Sequence, residues 1–185
     1  ISTVKLIILD RDGVINEDSE HFIKTAEQWI PIPNSADAIA FLNQYHYLTA
    51  IATNQSGLAR GLFTMHELNQ IHNKMLKHIN SAGGNIEGIW FCPHLEQDHC
   101  RCRKPRTGML EDIFMRLGVA AKDSYLVGDS LRDLQCIESV GGKPILVLTG
   151  KGKQTLATRK LPQDTLVYDD LWSFAQALCN SQEME

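Results

Sequence analysis

Two aspartates, Asp10 and Asp12, follow directly after the apolar run of residues 4–9. Because this run is short and rich in Ile and Leu, it predicts a strand that is buried on both faces. Ligands of open α/β sheets bind beyond the carboxyl ends of the strands, where these two carboxylates would lie. Gly13 allows a sharp turn after them. The pair is therefore placed to hold a cation or to transfer protons, although an Asp-x-Asp-Gly stretch alone is equally typical of a surface turn.

Two further predicted strands, at residues 47–53 and 124–127, also end in polar side chains. Thr53 and Asn54 stand at the end of the strand at residues 47–53, and Asp129 and Asp133 follow the strand at residues 124–127. A parallel sheet would bring them to the same edge as Asp10 and Asp12. Gathered carboxylates repel each other by several kcal/mol per close pair at an effective dielectric constant of about 20, so a cation is implied. Oxygen ligands of this kind suit Mg²⁺.

Lys104 could bring a positive charge to the same edge of the sheet. It stands in the stretch Cys102-Arg103-Lys104-Pro105. A lone lysine in a loop is usually solvated, but a lysine beside a carboxylate cluster and a hydroxyl is typical of a residue that neutralises a transferring phosphoryl group. The combination therefore predicts a phosphoryl site.

Four soft or borderline metal ligands occur within eleven residues just before Lys104. They are Cys92, His94, Cys100 and Cys102, in the pattern Cys-x-His-x5-Cys-x-Cys. Such a set fits a closed, tetrahedral Zn²⁺ site with a structural role. His99 is an alternative to His94 as the fourth ligand. Because Lys104 follows at once, we expect the metal to shape the zinc-binding loop of residues 92–102 and so to present Arg103 and Lys104.

Strands and helices alternate along the chain, which predicts an α/β fold with a doubly wound, Rossmann-like parallel sheet. Further strands are expected at residues 86–91, 145–149 and 166–168. Helices are expected at residues 35–44, from Thr64 to Gly83, from Thr107 to Gly118, at residues 131–140 and at residues 171–180. Asn34 is the predicted cap of the first helix, and Thr64 with Glu67 forms a predicted capping box on the second. Residues 17–33 and 150–163 are expected to be loops.

A chain of 185 residues is long enough for one well-buried core, so we expect a single domain over residues 1–185. A net charge of −4 and 43% hydrophobic residues indicate neither a nucleic acid nor a membrane surface as a partner. No apolar run approaches the roughly 18 residues of a membrane span, and the N-terminal residues lack the order of a signal peptide. We expect a cytoplasmic monomer in which the two remaining cysteines, Cys136 and Cys179, are buried.

Four motifs along the chain, in this order, resemble those of the haloacid dehalogenase superfamily of phosphotransferases. They are Asp10-x-Asp12, Thr53, Lys104, and Gly128-Asp129 with Asp133. The resemblance implies that Asp10 is a nucleophile that forms an aspartyl phosphate, and that Asp12 is the general acid and base. The implied Mg²⁺ ligands are Asp10, the backbone carbonyl of Asp12, and Asp129. Asp133 would contact these ligands without binding the metal directly. Thr53 and Asn54 would bind phosphoryl oxygens. A carboxylate at position 12 favours hydrolysis of a phosphomonoester over dehalogenation.

Members of this superfamily commonly carry a cap domain that is inserted after the first or second motif. In this chain the predicted helices and strands already occupy most of the residues from Asp12 to Thr53 and from Thr53 to Lys104. We therefore expect no cap domain. The active site would then be open, or completed by the loop of residues 17–33 and by the zinc-binding loop.

Longer stretches look like the D-glycero-D-manno-heptose 1,7-bisphosphate 7-phosphatase family. They are Gln55-Ser56-Gly57-Leu58-Ala59-Arg60-Gly61, Cys92-Pro93-His94, Cys102-Arg103-Lys104-Pro105-x-x-Gly108-Met109 and Gly128-Asp129-Ser130-Leu131-Arg132-Asp133. The resemblance implies a zinc-containing, Mg²⁺-dependent phosphatase that removes the C7 phosphate of a sugar bisphosphate, usually for lipopolysaccharide core. The second phosphate of such a substrate needs its own cation. Arg103 is the first candidate, followed by Lys24 and Arg60.

Two other functions remain open from the sequence. Histidinol-phosphate phosphatase domains share the core without a cap and the zinc cluster, but their second-motif loop usually has Gln-Asp-Gly where this chain has Gln55-Ser56-Gly57. A non-catalytic binding module built on the zinc-binding loop is the alternative from another class. The intact Asp10 and Asp12 argue against that module.

Overall fold

A computed structural model describes residues 4–183, and all of its strands in this range lie in one parallel sheet. The strands are β1 (Lys5–Leu9), β2 (Tyr47–Asn54), β3 (Ile89–Cys92), β4 (Ser124–Gly128), β5 (Lys143–Val147) and β6 (Leu166–Tyr168). Their order across the sheet is β3-β2-β1-β4-β5-β6. The strand order therefore reverses between β1 and β4, which is where doubly wound folds bind ligands. The predicted doubly wound architecture is confirmed.

Helices cover both faces of the sheet. They are α1 (Ser35–Gln44), α2 (Met65–Ser81), α3 (Gly108–Leu117), α4 (Leu131–Ser139), α5 (Gly152–Ala157) and α6 (Leu171–Glu183), with short 3₁₀ turns at Ala26–Gln28, Glu96–Asp98 and Ala121–Asp123. Ile7 and Leu9 of β1 pack with α1, α2 and α6, whereas Leu6 and Ile8 pack with α3 and α4. Strand β1 is thus buried on both sides, as its unbroken apolar sequence predicts.

Helix α2 forms as its sequence indicates. The Thr64 hydroxyl accepts a hydrogen bond from the Glu67 backbone N–H, and the Glu67 carboxylate accepts one from the Thr64 backbone N–H. These two bonds satisfy backbone donors that have no partner inside the helix. The apolar residues of one face are buried: Leu68, Ile71, Met75 and Ile79.

The predicted absence of a cap domain holds for residues 4–183. Between β1 and β2 the chain forms only a loop, a 3₁₀ turn and α1, and between β2 and β3 its only regular element is α2. The carboxyl edge of the sheet is consequently covered by loops alone. No helix within this described range is long and apolar enough to cross a membrane.

Four local predictions were wrong. Asn34 occupies the N-cap position of α1, but it has a positive φ of 66° and its side chain makes no capping hydrogen bond. Residues 150–163 are not only a loop, because α5 forms there, with the Thr155 hydroxyl donating to the backbone carbonyl of Asp129 at 2.6 Å. Strand β5 ends at Val147. The Leu148 N–H still donates to the Tyr168 carbonyl at 3.0 Å, but the Thr149 hydroxyl donates to the Gly13 carbonyl at 2.6 Å. Strand β3 begins three residues later than expected, at Ile89.

Candidate active site

A cavity of about 420 Å³ opens at the carboxyl ends of β1, β2 and β4. Every side chain predicted for catalysis or for the carboxylate cluster lines it: Asp10, Asp12, Thr53, Lys104, Asp129 and Asp133. These residues come from both halves of the chain. They meet because β1 lies between β2 and β4, so that the residues following the three strands share one edge.

Three carboxylates form the floor of the cavity. One oxygen each of Asp10, Asp129 and Asp133 lies within 4.8 Å of the others. The Asp10 backbone N–H donates to the Val127 carbonyl at 3.0 Å, which extends the pairing of β1 with β4 to Asp10. Asp129 accepts a hydrogen bond at 2.9 Å from the backbone N–H of Lys151.

Lys104 places its ammonium group between two of these carboxylates. Its Nζ lies 2.6 Å from Asp133 Oδ1 and 3.2 Å from Asp10 Oδ1, and it donates to the Ala52 carbonyl at 2.8 Å. The side chain is only 2% exposed. Burial opposes the ammonium charge, but the two carboxylates outweigh burial and raise the pKa of Lys104 above its ordinary value. Lys104 is therefore a fixed positive charge at the site.

One ammonium group does not neutralise three carboxylates. Burial, followed by repulsion from Asp133, raises the pKa of Asp10 well above its ordinary value, although Lys104 opposes this. Burial and Asp133 likewise raise the pKa of Asp129 to about 7. A cluster of oxygen donors with excess negative charge fits a hard divalent cation. The donor set is thus suited to Mg²⁺.

Two glycines make room for the Asp129 carboxylate. Gly13 has a φ of +85°, and a Cβ on it would overlap Asp129 Oδ2. A Cβ on Gly150, at a φ of +56°, would overlap the same oxygen. Both positions therefore require glycine for conformational and for steric reasons.

Asp12 is held by side chains that only donate hydrogen bonds to it. Arg11 donates from Nε to Oδ1 at 2.8 Å and from Nη2 to Oδ2 at 3.2 Å, while Asn16 and Gln55 donate at 3.0 and 3.3 Å. Burial alone would raise the pKa of Asp12. The charge of Arg11 and these hydrogen bonds outweigh burial and hold the pKa below its ordinary value.

The end of β2 and the first residue after it contribute a hydroxyl and two amides. Gln55 Nε2 donates to Thr53 Oγ1 at 3.0 Å as well as to Asp12, so that it links the two predicted catalytic residues. Asn54 lines the cavity, and its side chain pairs with the Lys104 backbone. Its Nδ2 donates to the Lys104 carbonyl at 3.2 Å and its Oδ1 accepts from the Lys104 N–H at 3.0 Å. The Asn54 side chain therefore positions Lys104.

Asp133 connects Lys104 to the start of α4. Its Oδ1 accepts from Lys104, and its Oδ2 accepts from the Ser130 hydroxyl at 2.9 Å and from the Ser130 N–H at 3.3 Å. Both oxygens are thus engaged.

The predicted zinc ligands converge in the loop after β3. Cys92, His94, Cys100 and Cys102 each offer a ligand atom within 4.8 Å of the other three. His94 Nδ1 lies 3.3 Å from Cys102 Sγ, and Cys92 Sγ lies 3.6 Å from Cys100 Sγ. The structure brings His94 into this cluster and not His99. Three sulfurs and one imidazole nitrogen fit a closed Zn²⁺ site.

The zinc cluster is joined to the carboxylate cavity by the backbone. The N–H of Gln55 donates to the Cys92 carbonyl at 2.7 Å, and β2 and β3 pair as far as Asn54 and Cys92. Burial alone would raise the pKa of the Cys100 thiol. Hydrogen bonds with the Arg103 backbone and with neighbouring side chains outweigh burial and lower this pKa to about 6. The two centres are therefore parts of one assembly.

The predicted cations for a second phosphate differ in position. Arg103 and Arg60 line the cavity, whereas Lys24 is not among the residues of the described chain that line it. The Arg103 guanidinium is 11% exposed and donates to Glu96 at 3.1 Å and to the His94 carbonyl at 3.3 Å. Lys24 is therefore a poor candidate on geometric grounds.

Several site residues escaped the sequence reasoning. Arg132 and Lys151 add positive charge to the cavity wall, and Arg11 and Gln55 hold Asp12. The role of Arg11 could have been predicted, because Arg11 stands between Asp10 and Asp12 in the sequence. Lys151 lies in the stretch that was expected to be a surface loop, so nothing in the sequence pointed to its contact with Asp129.

Known proteins with similar sequences identify the family of this chain. A family profile described as HAD-hydrolase-like matches residues 101–174. A D-glycero-beta-D-manno-heptose-1,7-bisphosphate 7-phosphatase of Neisseria meningitidis is 56% identical over 175 residues, which cover 94% of this chain and 94% of that protein. A Pseudomonas aeruginosa protein of the same name is 47% identical over 173 residues, which cover 94% and 97%. The chain belongs to this heptose bisphosphate phosphatase family.

The fold supports the same assignment. The structure of D,D-heptose 1,7-bisphosphate phosphatase from Bordetella bronchiseptica, complexed with magnesium and phosphate, matches with a TM-score of 0.94 and 49% identity. The match covers 96% of this chain and 99% of that chain. As a member of the heptose bisphosphate phosphatase family, the chain has the predicted haloacid dehalogenase-like fold.

Proposed function

We propose that this protein hydrolyses the C7 phosphate of D-glycero-β-D-manno-heptose 1,7-bisphosphate with the help of Mg²⁺. The observation that carries the proposal is the convergence of Asp10, Asp12, Thr53 and Lys104 on one cavity, in a chain that is 56% identical to a relative named for this activity. The β anomer is chosen because the relatives carry it in their names.

In the first step, a carboxylate oxygen of Asp10 attacks the phosphorus atom, and the bond from phosphorus to the C7 oxygen breaks. Asp12 gives its proton to that oxygen, so the sugar leaves as an alcohol. Lys104 and Thr53 hold the phosphoryl oxygens while charge develops on them. The product on the protein is an aspartyl phosphate at Asp10.

In the second step, Asp12 removes a proton from a water molecule, and the water oxygen attacks the phosphorus atom. The bond between phosphorus and Asp10 breaks, inorganic phosphate leaves, and both aspartates return to their starting states. The ionised Asp12 that this step needs is stabilised by Arg11. For the first step, the dianionic phosphate of the substrate raises the pKa of the neighbouring carboxyl of Asp12, so that it takes up a proton.

The metal assignments follow from the donor sets. Asp10, the Asp12 backbone carbonyl and Asp129 would hold Mg²⁺, which supplies the positive charge that lets carboxylates and phosphate stay ionised together. Cys92, His94, Cys100 and Cys102 would hold a structural Zn²⁺. In this proposal Asn54 and Asp133 position Lys104 and do not contact the substrate.

Arg103 is the proposed contact for the second phosphate of the substrate. Its guanidinium lines the cavity and is fixed by Glu96 and the His94 carbonyl. Arg60, which stacks over Phe22 at 5.9 Å, is the second choice. We also propose that residues 1–185 form a single domain that acts as a monomer in the cytoplasm. Light scattering after gel filtration and cell fractionation test these last two points.

A substrate panel tests the activity. The purified protein is incubated with Mg²⁺ and the β anomer of heptose 1,7-bisphosphate, its α anomer, or histidinol phosphate, and phosphate release is measured. We expect the β anomer to be hydrolysed with the highest kcat/KM. Faster turnover of histidinol phosphate would replace the proposal with that activity, and no turnover of any ester would favour the non-catalytic binding module.

A further inference from the structure

Arg11 is a buried cation that the two chemical steps do not use directly. Its side chain is 0% exposed, which makes it one of the largest fully buried side chains within residues 4–183. Burying a guanidinium group is costly unless its donors are paired. The partners of Arg11 therefore indicate what the residue is for.

The partners lie on two sides of the guanidinium. On one side, Nε and Nη2 donate to the two oxygens of Asp12, which is a bidentate arrangement within adjacent residues. The backbone makes this possible because the Arg11 carbonyl accepts from the N–H groups of Val14, Ile15 and Asn16 and so turns the chain sharply. A bidentate pair fixes the plane of the carboxylate as well as its distance.

On the other side, Arg11 contacts His72 of α2. Arg11 Nη1 lies 3.1 Å from His72 Nε2, and the histidine is 7% exposed. Arginine can only donate, so Nε2 is the acceptor and the imidazole proton resides on Nδ1. Burial and the charge of Arg11 lower the pKa of His72 to about 4, which agrees with a neutral acceptor.

We infer that Arg11 and His72 form a positioning pair that orients the Asp12 carboxyl group for proton transfer to the leaving oxygen and from water. The inference rests on the proposed phosphatase function. His72 fixes the guanidinium from behind, and the guanidinium fixes the plane of Asp12. Neither residue contacts the substrate. Helix α2 thereby contributes to proton transfer through a side chain that does not line the cavity.

Steady-state kinetics with heptose 1,7-bisphosphate separate this role from a purely structural one. His72→Leu removes the acceptor, and we expect kcat to fall about tenfold or more while KM changes less than twofold. His72→Gln retains an acceptor oxygen and should recover most of the lost kcat. His66→Leu, an exposed histidine replacement on the same helix, is the matched control and should leave both constants unchanged.

A change of leaving group provides the second readout. Nitrophenolate leaves without a proton, so its release from 4-nitrophenyl phosphate in the first turnover needs no general acid. We expect His72→Leu to slow the first turnover of the sugar phosphate about tenfold but that of the aryl phosphate less than twofold. Should His72→Leu fail to fold, Arg11→Lys takes its place, because lysine keeps the positive charge but cannot donate two hydrogen bonds to one carboxylate in the bidentate geometry.

The outcomes distinguish a failure of the proposed phosphatase function from a failure of the positioning pair. An inactive wild type overturns the proposed function itself. An active wild type overturns only the positioning pair if His72→Leu keeps full kcat, if the loss appears in KM, or if His72→Gln is no better than His72→Leu. Equal slowing of both esters in the first turnover would also contradict it.

Discussion

The carboxylate cavity and the zinc cluster are built in opposite ways. The cavity gathers Asp10, Thr53, Lys104 and Asp129 from positions spread over most of the chain, and only the strand order brings them together. The zinc cluster takes its ligands from eleven consecutive residues, 92–102. The first site therefore depends on the whole sheet, whereas the second depends on a metal and a short loop.

The two regions also differ in their donors. Oxygen donors with excess negative charge suit Mg²⁺, and sulfur donors suit Zn²⁺. They nevertheless meet at Lys104, which follows the zinc-binding loop and reaches Asp10 and Asp133. We infer that the zinc cluster supports catalysis by holding the Lys104 ammonium group in place. Substitutions in the cavity and in the zinc cluster should therefore reduce turnover by different amounts.

Asp10→Asn should have the largest effect. The variant keeps the shape of the side chain and removes the nucleophile, so phosphate release should fall by at least about a thousandfold. Removing one carboxylate from a crowded cluster should not lower the melting temperature. Phosphate release and circular dichroism check both points. More than a tenth of wild-type activity in a metal-loaded Asp10→Asn would contradict the nucleophile assignment.

Cys100→Ser should have the next largest effect. Loss of one thiolate should remove Zn²⁺, lower the melting temperature, and reduce phosphate release about tenfold to a hundredfold because Lys104 loses its support. Metal analysis of the purified protein gives the zinc content. His99→Ala is the matched control, since His99 lies in the same loop but outside the cluster. Unchanged zinc in Cys100→Ser, or zinc loss in His99→Ala, would refute the ligand set.

Gly13→Ala should change the cavity in addition to lowering stability. Both Gly13 and Gly118 have positive φ, so alanine costs about 1 kcal/mol of strain at either position. Only at Gly13 does the new Cβ overlap Asp129, whereas at Gly118 it meets nothing within 4 Å. Gly13→Ala should therefore also raise the Mg²⁺ concentration needed for activity. Equal Mg²⁺ titrations for the two variants would contradict the assignment of Asp129 to the metal.

The last prediction concerns the pH dependence of stability and has the smallest effect on turnover. The pKa of His72 is lowered from 6.5 to about 4, so the unfolded chain binds a proton at pH 5 that the folded protein does not. The free energy of unfolding should thus fall as the pH falls from 6.5 to 4. Wild type should lose up to about 3 kcal/mol more than His72→Leu over this interval, as measured by urea titration. Parallel pH profiles would show that His72 is not buried as a neutral acceptor.

The sequence predicted the residues that follow strand ends better than it predicted their partners. Asp10, Thr53 and Asp129 were found because a parallel sheet gathers the ends of its strands. The convergence of Cys92, His94, Cys100 and Cys102 was predicted because local spacing suffices. The hydrogen bonds between the Asn54 amide and the Lys104 backbone were not predicted, since nothing in the sequence shows this contact.

The remaining misses depend on tertiary packing. The contact between Arg11 and His72 requires α2 to pack beside the loop after β1. The hydrophobic periodicity of the sequence does not predict this packing. Helix α5 is six residues long and lacks an apolar repeat, and its Thr155 is fixed by a carbonyl in a distant loop. Lys24 is not among the described residues that line the cavity, and its charge alone does not predict on which side of the loop it lies.

The most direct test is acid quenching during turnover of heptose 1,7-bisphosphate that carries ³²P only at C7. We expect label bound to the protein, stable in acid, released by hydroxylamine, and absent from Asp10→Asn. The same substrate labelled only at C1 should leave the protein unlabelled. Label from C1, or turnover of the C7-labelled substrate with no protein-bound label, would contradict hydrolysis of the C7 phosphate through Asp10.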